Sequence, residues 1–566
     1  MIIGLDLGTT NSLVSVWKEG EAHVIPNALG HYMTPSVVGL DDNGEILIGM
    51  AARERLLSHP HLTTATFKRY MGSDRTVSLG KQKFRAEELS SLVLRSLKAD
   101  AEIWLGEAVS EAVITVPAYF NDAQRKATRI AGELAELKVE RLVNEPTAAA
   151  LAYGLHQRDG ESQFLVFDLG GGTFDVSLLE LFDGVMEVRA SAGDNYLGGE
   201  DFVDRLIDGF MDGVGQPKKL LDDQHARQVL RDQAERAKRL LTTEKKATMK
   251  MRWKHESLEW TVDEAAFEAL VQPLLARITN PVERALRDAR IRVRELDELV
   301  MVGGATRMPV LRKLVSRMFG RLPAGHIDPD KVVAIGAAVQ AGLKARDAAL
   351  DEVVMTDVCP YTLGTEVVRK LGASHYHEGV YLPIIERNTV IPFSRVERVC
   401  TVNDYQPEVQ VNVYQGESSL VKDNIKLGSL HLKVPPQPAG EETVDIRFTY
   451  DINGLLDVDA TVVSTQQNKR IVIEENPGVL TPDQIEQRLK ELTKLKIHPR
   501  DQLENRTVLA RAERLYEEAL GELRLQIGEY LSHFRLIMEG QVPDEINGAR
   551  LRMVEILDQI EGDPYL

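Results

Sequence analysis

Apolar positions in residues 1–350 form two alternating kinds of run. Short, continuous apolar runs such as 112–116 predict buried strands. The segment from Asn121 to Leu137 has alanines and basic residues at helical spacing, and either Asn121 or Asp122 would cap such a helix. Strands that alternate with helices in this way predict an α/β architecture with layered sheets over residues 1–350.

The pattern changes after that region. Residues 351–358 form a short apolar stretch between acidic residues, which predicts an interdomain linker. Over residues 359–478, apolar and polar positions alternate with a period of two, and turn residues separate the runs. Alternation of this kind is typical of half-buried antiparallel strands, so we predict an antiparallel β-sandwich there.

Helical spacing returns over residues 481–562. A helix that begins near Pro482 carries an apolar stripe of Ile485, Leu489 and Leu492. A longer helical stretch is predicted from about 501 to 539, and another from about 543 to 560. The sequence therefore predicts an α/β region, a linker, a β-sandwich and a helical tail.

Composition narrows the classes of partner. The chain has 566 residues, enough for three or four domains, and a formal net charge of −18. That charge argues against a broad nucleic-acid or anionic-membrane surface, and no apolar run is long enough to predict a transmembrane helix. Cys359 and Cys400 lack metal-ligand spacing, so we interpret them as small packed residues in a reducing compartment. Because Met1 leads straight into the first strand, we expect no targeting segment and a cytoplasmic location.

Two segments about 160 residues apart repeat one design. Each has an apolar strand, an aspartate at its end (Asp6 or Asp168), a turn of glycine and threonine, and a returning strand. Such turns let backbone N–H groups and hydroxyls converge on a phosphate, and the aspartate can hold a hydrated divalent cation over it. One such hairpin is weak evidence, but two of them, with a matching turn at 299–307, predict a nucleotide clamped between two related lobes.

Other nucleotide-binding signatures are absent from the sequence, which has neither a P-loop nor a strand–G-x-G-x-x-G–helix segment. The two-hairpin design resembles the ATPase fold shared by actin, hexokinase-type sugar kinases and the DnaK (heat-shock seventy) chaperones. Blocks that are similar to the DnaK family almost letter for letter are 116–122, 144–150, 168–175, 197–202 and 302–309. The resemblance continues through the β-rich region, and the compact length is most similar to the HscC branch. It implies an actin-like ATPase domain, a peptide-binding sandwich and a short helical lid that covers it.

The resemblance implies roles at the nucleotide site. Lys68 would position the γ-phosphate and the attacking water, since phosphoryl transfer depends mainly on positioning and charge neutralisation. Asp6 and Asp168 would contact Mg²⁺ through its water shell, and K⁺ is a further candidate ion. The expected catalytic residues are Lys68, Glu145, Asp168, Thr173 and Asp175. The residues expected to hold ATP or ADP are Asp6, Gly8, Thr9, Thr10, Asn11, Gly170, Gly171, Gly172, Gly198, Gly199, Glu235, Lys238, Arg239, Thr242, Gly303, Gly304, Ala305, Arg307 and Asp330.

Part of that set has helical spacing. Glu235, Lys238 and Thr242 would share one helix face, which is similar to the adenosine-binding helix of the family. Taken alone, Glu235 and Lys238 would be explained more simply as a solvated ion pair. The resemblance places Arg307 opposite that face and Asp330 on the ribose side.

The β-rich region would hold an extended apolar peptide by strand-like hydrogen bonds and a side-chain pocket. By resemblance the peptide-binding residues are Thr365, Val367, Val368, Val402, Val409, Val411 and Tyr450. The simpler alternative is that some of them are ordinary sandwich core. Residues 375–378 carry two histidines, which we interpret as part of a surface loop rather than a metal site.

Coupling between the two activities is expected at Pro117, Arg125, Arg141, Asn144 and Asp357. The resemblance also implies a J-domain co-chaperone as a partner, beside unfolded or apolar peptide segments. A nucleotide-exchange factor is doubtful, because the region 242–264 is shorter than the family norm.

These observations support an ATP-hydrolysing chaperone that captures apolar peptide segments. One alternative is a sugar-kinase-like or actin-like ATPase, which would have no use for the linker, sandwich and tail. Another is a peptide-binding scaffold that does not hydrolyse ATP, against which Lys68 and Thr173 argue.

Overall fold

The computed structural model describes most of the chain. The described residues are 1–154, 161–182, 185–215, 218–254, 256–323, 327–347, 350, 354–371, 375–472, 480, 482–493, 503–519, 521–539 and 542–561. The predicted boundaries at 351–353, 473–478, 481 and 562 lie outside these residues.

Residues 1–154 form the first of two lobes. Its elements are β1 (Ile2–Asp6), β2 (Asn11–Lys18), β3 (Glu21–Ile25), β4 (Thr34–Pro35), β5 (Val37–Leu40), β6 (Ile46–Ile48), α1 (Met50–Ser58), β7 (Thr63–Ala65), β8 (Thr76–Leu79), β9 (Gln82–Arg85), α2 (Ala86–Leu105), β10 (Glu111–Val116), α3 (Asp122–Leu134), β11 (Lys138–Asn144) and α4 (Glu145–Ala152). The main sheet has the order β11-β10-β1-β2-β3, with β1 parallel to β10 and antiparallel to β2. Of the two predicted caps, Asn121 is the residue that caps α3, because its side chain accepts a hydrogen bond from the Gln124 N–H (2.9 Å).

The second lobe repeats this arrangement. Its elements are β12 (Ser162–Leu169), β13 (Phe174–Phe182), β14 (Val185–Asp194), α5 (Gly199–Val214), α6 (Gln224–Leu240), β15 (Lys246–Trp253), β16 (Glu256–Asp263), α7 (Glu264–Ala289), β17 (Glu298–Val302), α8 (Pro309–Phe319) and α9 (Val332–Lys344). The hairpin β12–β13 lies in the middle of its sheet, with β17 parallel to β12. Helix α9 returns to pack against β1 and β2, so the chain crosses back to the first lobe. Each hairpin lies in the interior of its sheet, and its aspartate comes just before the turn, because Asp6 is the last residue of β1 and Asp168 is the last but one of β12.

The predicted linker is an ordered strand over the part that the structure describes. Strand β18 (Val354–Val358) pairs in parallel with β14, and Val358 is 2% exposed. The interdomain linker predicted over 351–358 stays a prediction, and its residues 354–358 have the conformation of a strand. The physical reason is that β14 offers an open sheet edge, and five residues in extended conformation can satisfy its backbone groups.

Residues 359–472 form two antiparallel sheets that pack face to face. The strands are β19 (Leu363–Leu371), β20 (His375–Ile385), β21 (Val390–Ile391), β22 (Phe393–Cys400), β23 (Glu408–Gln415), β24 (Ile425–Lys433), β25 (Thr443–Tyr450), β26 (Leu456–Val462) and β27 (Asn468–Val472). One sheet has the order β20-β19-β23-β24 and the other β22-β25-β26-β27. Strand β21 belongs to neither, because it pairs with β18 and so extends the sheet of the second lobe. Inward-facing residues such as Val411, Ile446, Phe448 and Val458 form the shared core.

The tail contains α10 (Pro482–Thr493), α11 (Leu503–Glu518), α12 (Gly521–Glu539) and α13 (Pro543–Glu561). The single helical stretch predicted over 501–539 is in fact two helices, and α12 begins at a glycine, which favours a break. Helices α11 to α13 share an apolar core that includes Leu515, Leu531 and Leu557.

The tail lies on the first lobe rather than over the sandwich, where the predicted lid would lie. Helix α10 packs against α3, and Leu480 and Leu492 join the apolar core of the first lobe. Helix α11 packs along α1, and Arg514 Nε donates to Glu54 Oε2 at 2.7 Å. The expectation that the tail covers the β-sandwich is therefore not met in this arrangement.

Two smaller expectations are also wrong. Cys359 is buried as predicted, but Cys400 is exposed at the end of β22. Residues 375–378 belong to strand β20 rather than to a loop, because they pair with β19. Among the described helices, none is long and apolar enough to cross a membrane.

Candidate functional site

A cavity of about 320 Å³ lies between the turns of the two central hairpins. Most predicted nucleotide and catalytic residues line it, from both lobes. They are Asp6, Gly8, Thr9, Thr10, Asn11, Lys68, Glu145, Asp168, Gly170, Gly171, Thr173, Gly199, Glu235, Lys238, Arg239, Thr242, Gly303, Gly304, Ala305, Arg307 and Asp330.

Three predicted residues lie just behind the cavity wall and support it. A methyl group built on Gly198 would lie 2.3 Å from the Gly172 nitrogen, so these glycines let two turns pack backbone to backbone. Asp175 accepts a hydrogen bond from the Tyr119 N–H (3.0 Å). We therefore assign Gly172, Gly198 and Asp175 to the support of the second hairpin rather than to its surface.

The two hairpin turns are tightly folded. A methyl group built on Gly8 would lie 2.0 Å from the Asn11 carbonyl oxygen, and one on Gly171 would lie 1.9 Å from Thr10 Oγ1. At Gly8 the close atom belongs to the backbone, so only glycine fits there, whereas at Gly171 it belongs to the Thr10 side chain. The first turn can therefore close on itself, and the second can approach Thr10 directly. Tight turns of this kind allow backbone N–H groups to converge on a phosphate.

Buried acids lie at the floor of the cavity, with Asp175 just behind it. Burial, and then repulsion from Glu145, raises the pKa of the Asp6 carboxyl to about 7. Burial and the same neighbour raise the pKa of Asp175 to about 7 and that of Asp168 well above its ordinary range. These groups are close enough to oppose one another's ionisation. The floor is therefore suited to a strongly charged cation.

The arrangement fits Mg²⁺ held through water. Asp168 Oδ2 is buried and has no hydrogen-bond partner among the described residues, while Asp6 Oδ1 accepts from Thr115 Oγ1 at 3.2 Å. Mg²⁺ retains most of its water shell and takes one or two carboxylates. Asp6 and Asp168 would hold such an ion, whose charge would offset that of the phosphates.

These pKa shifts predict a pH-dependent stability that the cation removes. Without cation and nucleotide, folded Asp6 and Asp175 keep protons between about pH 4 and pH 7 that the unfolded chain has already lost, so stability falls as the pH rises through that window. With Mg²⁺ and ADP bound, the carboxylates are ionised and paired, and the fall is smaller. We expect melting temperatures measured from about pH 5 to pH 7.5 to decline more steeply with chelator than with Mg²⁺ and ADP.

The control for that measurement is Asp6→Asn, which removes one of the titrating groups. The variant should have a shallower slope in chelator than the unmodified chain. Equal slopes with and without Mg²⁺ and ADP would contradict the assignment of the acids to a cation site.

Lys68 is the central cation of the site. It lies on a short 3₁₀ turn, is 3% exposed, and its Nζ donates to Glu145 Oε1 at 3.1 Å. The same Nζ lies 5.5 Å from the centre of the Phe120 ring, which limits its movement on one side. Lys68 is thus held at the cavity with its charge directed to the acids, where a transferring phosphoryl group would also be.

The side of the cavity at which adenosine is expected is built by α6 and by the turn after β17. Glu235 pairs with Lys238 (2.6 Å) and with Arg239 (2.7 Å), and all three line the cavity. Thr242 also lines it but lies beyond the end of α6 at Leu240, so the prediction of one continuous helix face is wrong for this residue. Arg239 and Thr242 therefore form the open end of the α6 wall.

Arg307 is fixed on the opposite wall. Its Nε and Nη2 both donate to one oxygen, Asp330 Oδ2, at 3.1 and 2.7 Å. The same Nη2 also donates to Asp328 Oδ1 at 2.5 Å. A methyl group on Gly304 would lie 2.6 Å from Asp330 Oδ1. Gly304 thus lets Asp330 reach the cavity and hold Arg307 flat beside it.

Sequence reasoning missed the apolar part of the lining. It consists of Leu13, Met33, Val302, Met308, Pro329 and Val333. Leu13, Val302 and Met308 adjoin or belong to matched motifs and could have been included. Met33 and Pro329 lie in segments without a matched motif, and only the tertiary fold brings them to the site.

The predicted coupling residues lie together below the cavity, where β18 meets the first lobe. Arg125 is 3% exposed, and its Nη2 donates to Asn144 Oδ1 at 2.8 Å. Asp357 Oδ2 accepts from Thr147 Oγ1 at 3.1 Å, and burial raises the pKa of Asp357 while Arg125 opposes the change. Burial lowers the pKa of the Arg141 guanidinium, and Asp357 counteracts that effect.

The same cluster reaches the β-sandwich. The Pro117 carbonyl accepts from the Phe120 N–H (3.1 Å), and the Phe120 carbonyl accepts from Arg125 Nε (3.1 Å). Arg125 Nη1 also contacts the Asn453 carbonyl at 3.5 Å, while Asn453 Oδ1 accepts from the Leu142 N–H at 3.2 Å. Asn453 belongs to the β25–β26 turn, so the first lobe and the sandwich contact each other through this cluster.

Most predicted peptide-binding residues lie near the place where β19 and β23 separate. The ladder between the strands ends at Thr365 and Val413, and Thr365 Oγ1 donates to the Asn412 carbonyl (2.8 Å). Val367 continues β19 and is half-buried, whereas Val411 continues β23 on the other side of the gap. The diverging strands leave backbone groups along this edge of β23 for an added strand.

The other candidates fit this cleft unequally. Val368 and Val402 are half-buried. Val409, at 8% exposed, and Val411, at 1%, also belong to the sandwich core, so the alternative of ordinary core holds in part for them. Tyr450 is the last residue of β25, at the far end of that strand from Thr443, and pairs with Phe393 of β22. It is 3% exposed and lies beside Arg125 of the first lobe. We therefore remove Tyr450 from the peptide set.

The amino-acid sequence is similar to a known protein family and to individual characterised members of it. The sequence profile of the family described as Hsp70 protein matches residues 2–78 and 73–535. The chaperone protein DnaK of Thermotoga neapolitana is 42% identical over 485 residues, which cover 83% of this chain and 80% of that protein. Those of Thermotoga petrophila and Thermotoga maritima match with the same identity and coverage. The matched residues include the cavity, the β-sandwich and the helices α10 and α11.

Proposed function

This chain belongs to the Hsp70 family, and on that premise we propose a specific cycle for it as an ATP-dependent chaperone. ATP would bind in the actin-like cavity between the two hairpins with Mg²⁺ held by Asp6 and Asp168 through water. Hydrolysis to ADP and phosphate would control the capture and release of apolar peptide segments in the cleft between β19 and β23. The observation that carries the proposal is the pairing of β18 with β14, which joins the nucleotide lobes to the sandwich by a strand of the second lobe's own sheet.

In the proposed reaction the protein mainly positions groups and offsets charge. Lys68 would orient the γ-phosphate and the attacking water, and Glu145 would hold Lys68 in place through their contact of 3.1 Å. Thr173 lies in the second turn and lines the cavity, where its hydroxyl can contact the γ-side. The bound Mg²⁺ supplies charge neutralisation for the phosphates.

We propose that the docked arrangement corresponds to the peptide-releasing state. Contacts that hold the sandwich and the tail against the lobes include the β18–β14 pairing, the contact between Arg387 and Asp288 (2.8 Å), and the packing of α11 on α1. With the tail on the first lobe, none of its described helices covers the cleft at Val367. After hydrolysis the sandwich and tail would leave the lobes, and the tail could then close over a bound peptide.

The coupling cluster is the proposed site at which a J-domain co-chaperone would stimulate hydrolysis. Asp357 belongs to β18, and Arg141 and Asn144 lie next to it, so a partner that binds there would contact the strand that moves. Dependence on a nucleotide-exchange factor remains doubtful for the shortened region 242–264, which forms the hairpin β15–β16. Membership of the HscC branch stays a prediction.

The alternative classes differ in what they need. A sugar-kinase-like or actin-like ATPase is set aside because the family match extends over the sandwich and into the tail. A scaffold that does not hydrolyse ATP would not need Lys68 to be held by a buried Glu145 beside Asp6 and Asp168.

The function is tested on the full chain with a fluorescently labelled apolar peptide. We expect phosphate release from ATP, a change in that rate when peptide is added, and faster dissociation of the peptide, followed by anisotropy, when ATP replaces ADP. An ATPase rate that no peptide changes, together with peptide dissociation that is the same in ATP and ADP, would refute the proposed cycle.

The cleft itself is tested by Val367→Asp. An unpaired carboxylate in an apolar cleft is unfavourable, so we expect peptide binding at least about tenfold weaker, measured by anisotropy in ADP. Val396→Asp is the matched control, because Val396 is 45% exposed on β22 in the other sheet. This variant should bind peptide normally. Melting curves of both variants should resemble that of the unmodified chain. Undiminished peptide binding by Val367→Asp would place the peptide elsewhere.

A further inference from the structure

Tyr361 is a residue of the sandwich region that contacts the wall of the nucleotide site. It lies between β18 and β19, and its ring packs on that of Tyr119, with ring centres 4.4 Å apart. Its hydroxyl donates to the Tyr119 carbonyl oxygen at 3.0 Å. The hydrogen bond and the ring contact thus join the two regions at one residue, Tyr119.

Tyr119 is hydrogen-bonded to a buried acid of the site. Its N–H donates to Asp175 Oδ1 at 3.0 Å, and Asp175 is 1% exposed. From the phenol of Tyr361 to the carboxylate of Asp175, the connection therefore passes through a single residue. A movement of the Tyr119 backbone would change the position of the Asp175 carboxylate, because a hydrogen bond of this length tolerates little displacement.

Contacts with two further residues fix the position of Tyr119. Arg284 Nη2, from α7, donates to the Tyr119 hydroxyl at 2.8 Å, so the ring lies between Arg284 and Tyr361. Asn195 Nδ2 donates to the same Tyr119 carbonyl at 2.9 Å and contacts the Tyr361 hydroxyl at 3.4 Å. With these contacts, Tyr119 has a fixed position as long as the sandwich is docked, and it loses two contacts when Tyr361 leaves.

We propose that Tyr361 is the positioning residue through which the sandwich sets the rate of ATP hydrolysis, because its hydroxyl holds the backbone of Tyr119, whose N–H holds Asp175. The inference rests on the proposed function and names the group that carries its coupling. Tyr361 does not touch the nucleotide cavity, so it acts on the turnover number and not on the affinity for ATP.

The first test is Tyr361→Phe, which removes the hydroxyl and keeps the ring contact. Since this variant imitates one part of undocking, its kcat without peptide should move toward the peptide-saturated value of the unmodified chain. The ratio of peptide-saturated to basal kcat should fall by at least half, while KM for ATP stays the same. Hydrogen exchange of the segment 117–121 in ATP should become faster, which reports on the Tyr119 backbone directly.

Tyr381→Phe is the matched control. Tyr381 is also a buried tyrosine of the sandwich, and its hydroxyl donates to the Thr362 carbonyl at 2.9 Å, but that contact stays within the sandwich. The Tyr381→Phe variant should therefore have the same basal kcat, the same response to peptide and the same hydrogen exchange in 117–121 as the unmodified chain. Any general effect of losing a buried hydroxyl would appear equally in both variants.

A second variant tests whether the Tyr119 carbonyl is the point of action. Asn195→Ala removes the other donor to that oxygen, so its effect and that of Tyr361→Phe should not be additive in the double variant. Additive effects would mean that the two side chains act by separate routes, which would overturn the proposal.

The outcomes separate this inference from the proposed function. If the unmodified chain responds to peptide and Tyr361→Phe responds equally with the same basal kcat, the inference is wrong and the chaperone cycle stands. The inference is also wrong if Tyr361→Phe and Tyr381→Phe change kcat to the same extent. If no peptide changes the ATPase rate of the unmodified chain, the proposed function fails, and the inference fails with it.

Discussion

Lys68→Ala should lose most ATP hydrolysis while it still binds ATP. Lys68 is 3% exposed and lies at the cavity with its Nζ 3.1 Å from Glu145, so we expect its charge to act on the transferring phosphoryl group rather than on adenosine. Removing one preorganised donor from a reaction of this kind costs about 100- to 1,000-fold in kcat, roughly 3–4 kcal/mol. Single-turnover hydrolysis measures the loss, and titration with a fluorescent ATP analogue measures binding.

The loss has to be separated from damage to the fold. Glu145 would lose its partner in Lys68→Ala, so a melting curve belongs to the measurement. Lys138→Ala is the matched control, because Lys138 pairs with Glu111 (3.5 Å) at the surface of the same lobe and is 71% exposed. If Lys68→Ala hydrolysed ATP at a rate close to that of Lys138→Ala, Lys68 would not have the assigned role.

Gly8→Ala should weaken nucleotide binding severely. The added methyl group would lie 2.0 Å from the Asn11 carbonyl oxygen, and backbone cannot rotate away as a side chain can. The turn must open, and its backbone N–H groups, which we expect to contact the phosphates, move with it. Overpacking of this kind costs about 1–3 kcal/mol, so we expect the Kd for ATP to rise roughly 5- to 150-fold.

Gly428→Ala adds the same methyl group on β24, where no atom lies within 4 Å of it. It should bind ATP normally, and so it controls for a general effect of losing a glycine. Isothermal titration of both variants with ATP and Mg²⁺ gives the comparison. Equal affinities would show that the first turn does not contact the phosphates.

The two turns that line the cavity could be predicted from sequence because their residues are local. Each hairpin carries its aspartate, glycines and threonine within a few positions, and a turn of this kind needs those residues wherever it occurs. The apolar lining has no such signature. Met33 lies in a segment between β3 and β4, and nothing in its neighbours distinguishes it from any half-exposed methionine.

The placement of β18 and α10 could not be predicted for a related reason. The apolar stripe of Ile485 and Leu489 indicates that a helix packs on something, but it does not name the surface. In the same way, residues 354–358 are extended and apolar in sequence, and only the open edge of β14 decides that they become a strand. Partners that are distant in sequence are chosen by the complementary surface, and a pattern within one segment carries no information about it.

The docking of α10 also concerns how the protein is made and how it is divided for study. Ile130 of α3 faces the same apolar space as Leu480 and Ile485, which leave the ribosome about 350 residues later. During synthesis the first lobe therefore completes its sheet while this face of α3 is still open to water. A fragment that ends at residue 350 keeps that face open permanently. Its solubility and its interactions with other proteins would then describe a surface that the docked, full-length chain does not present.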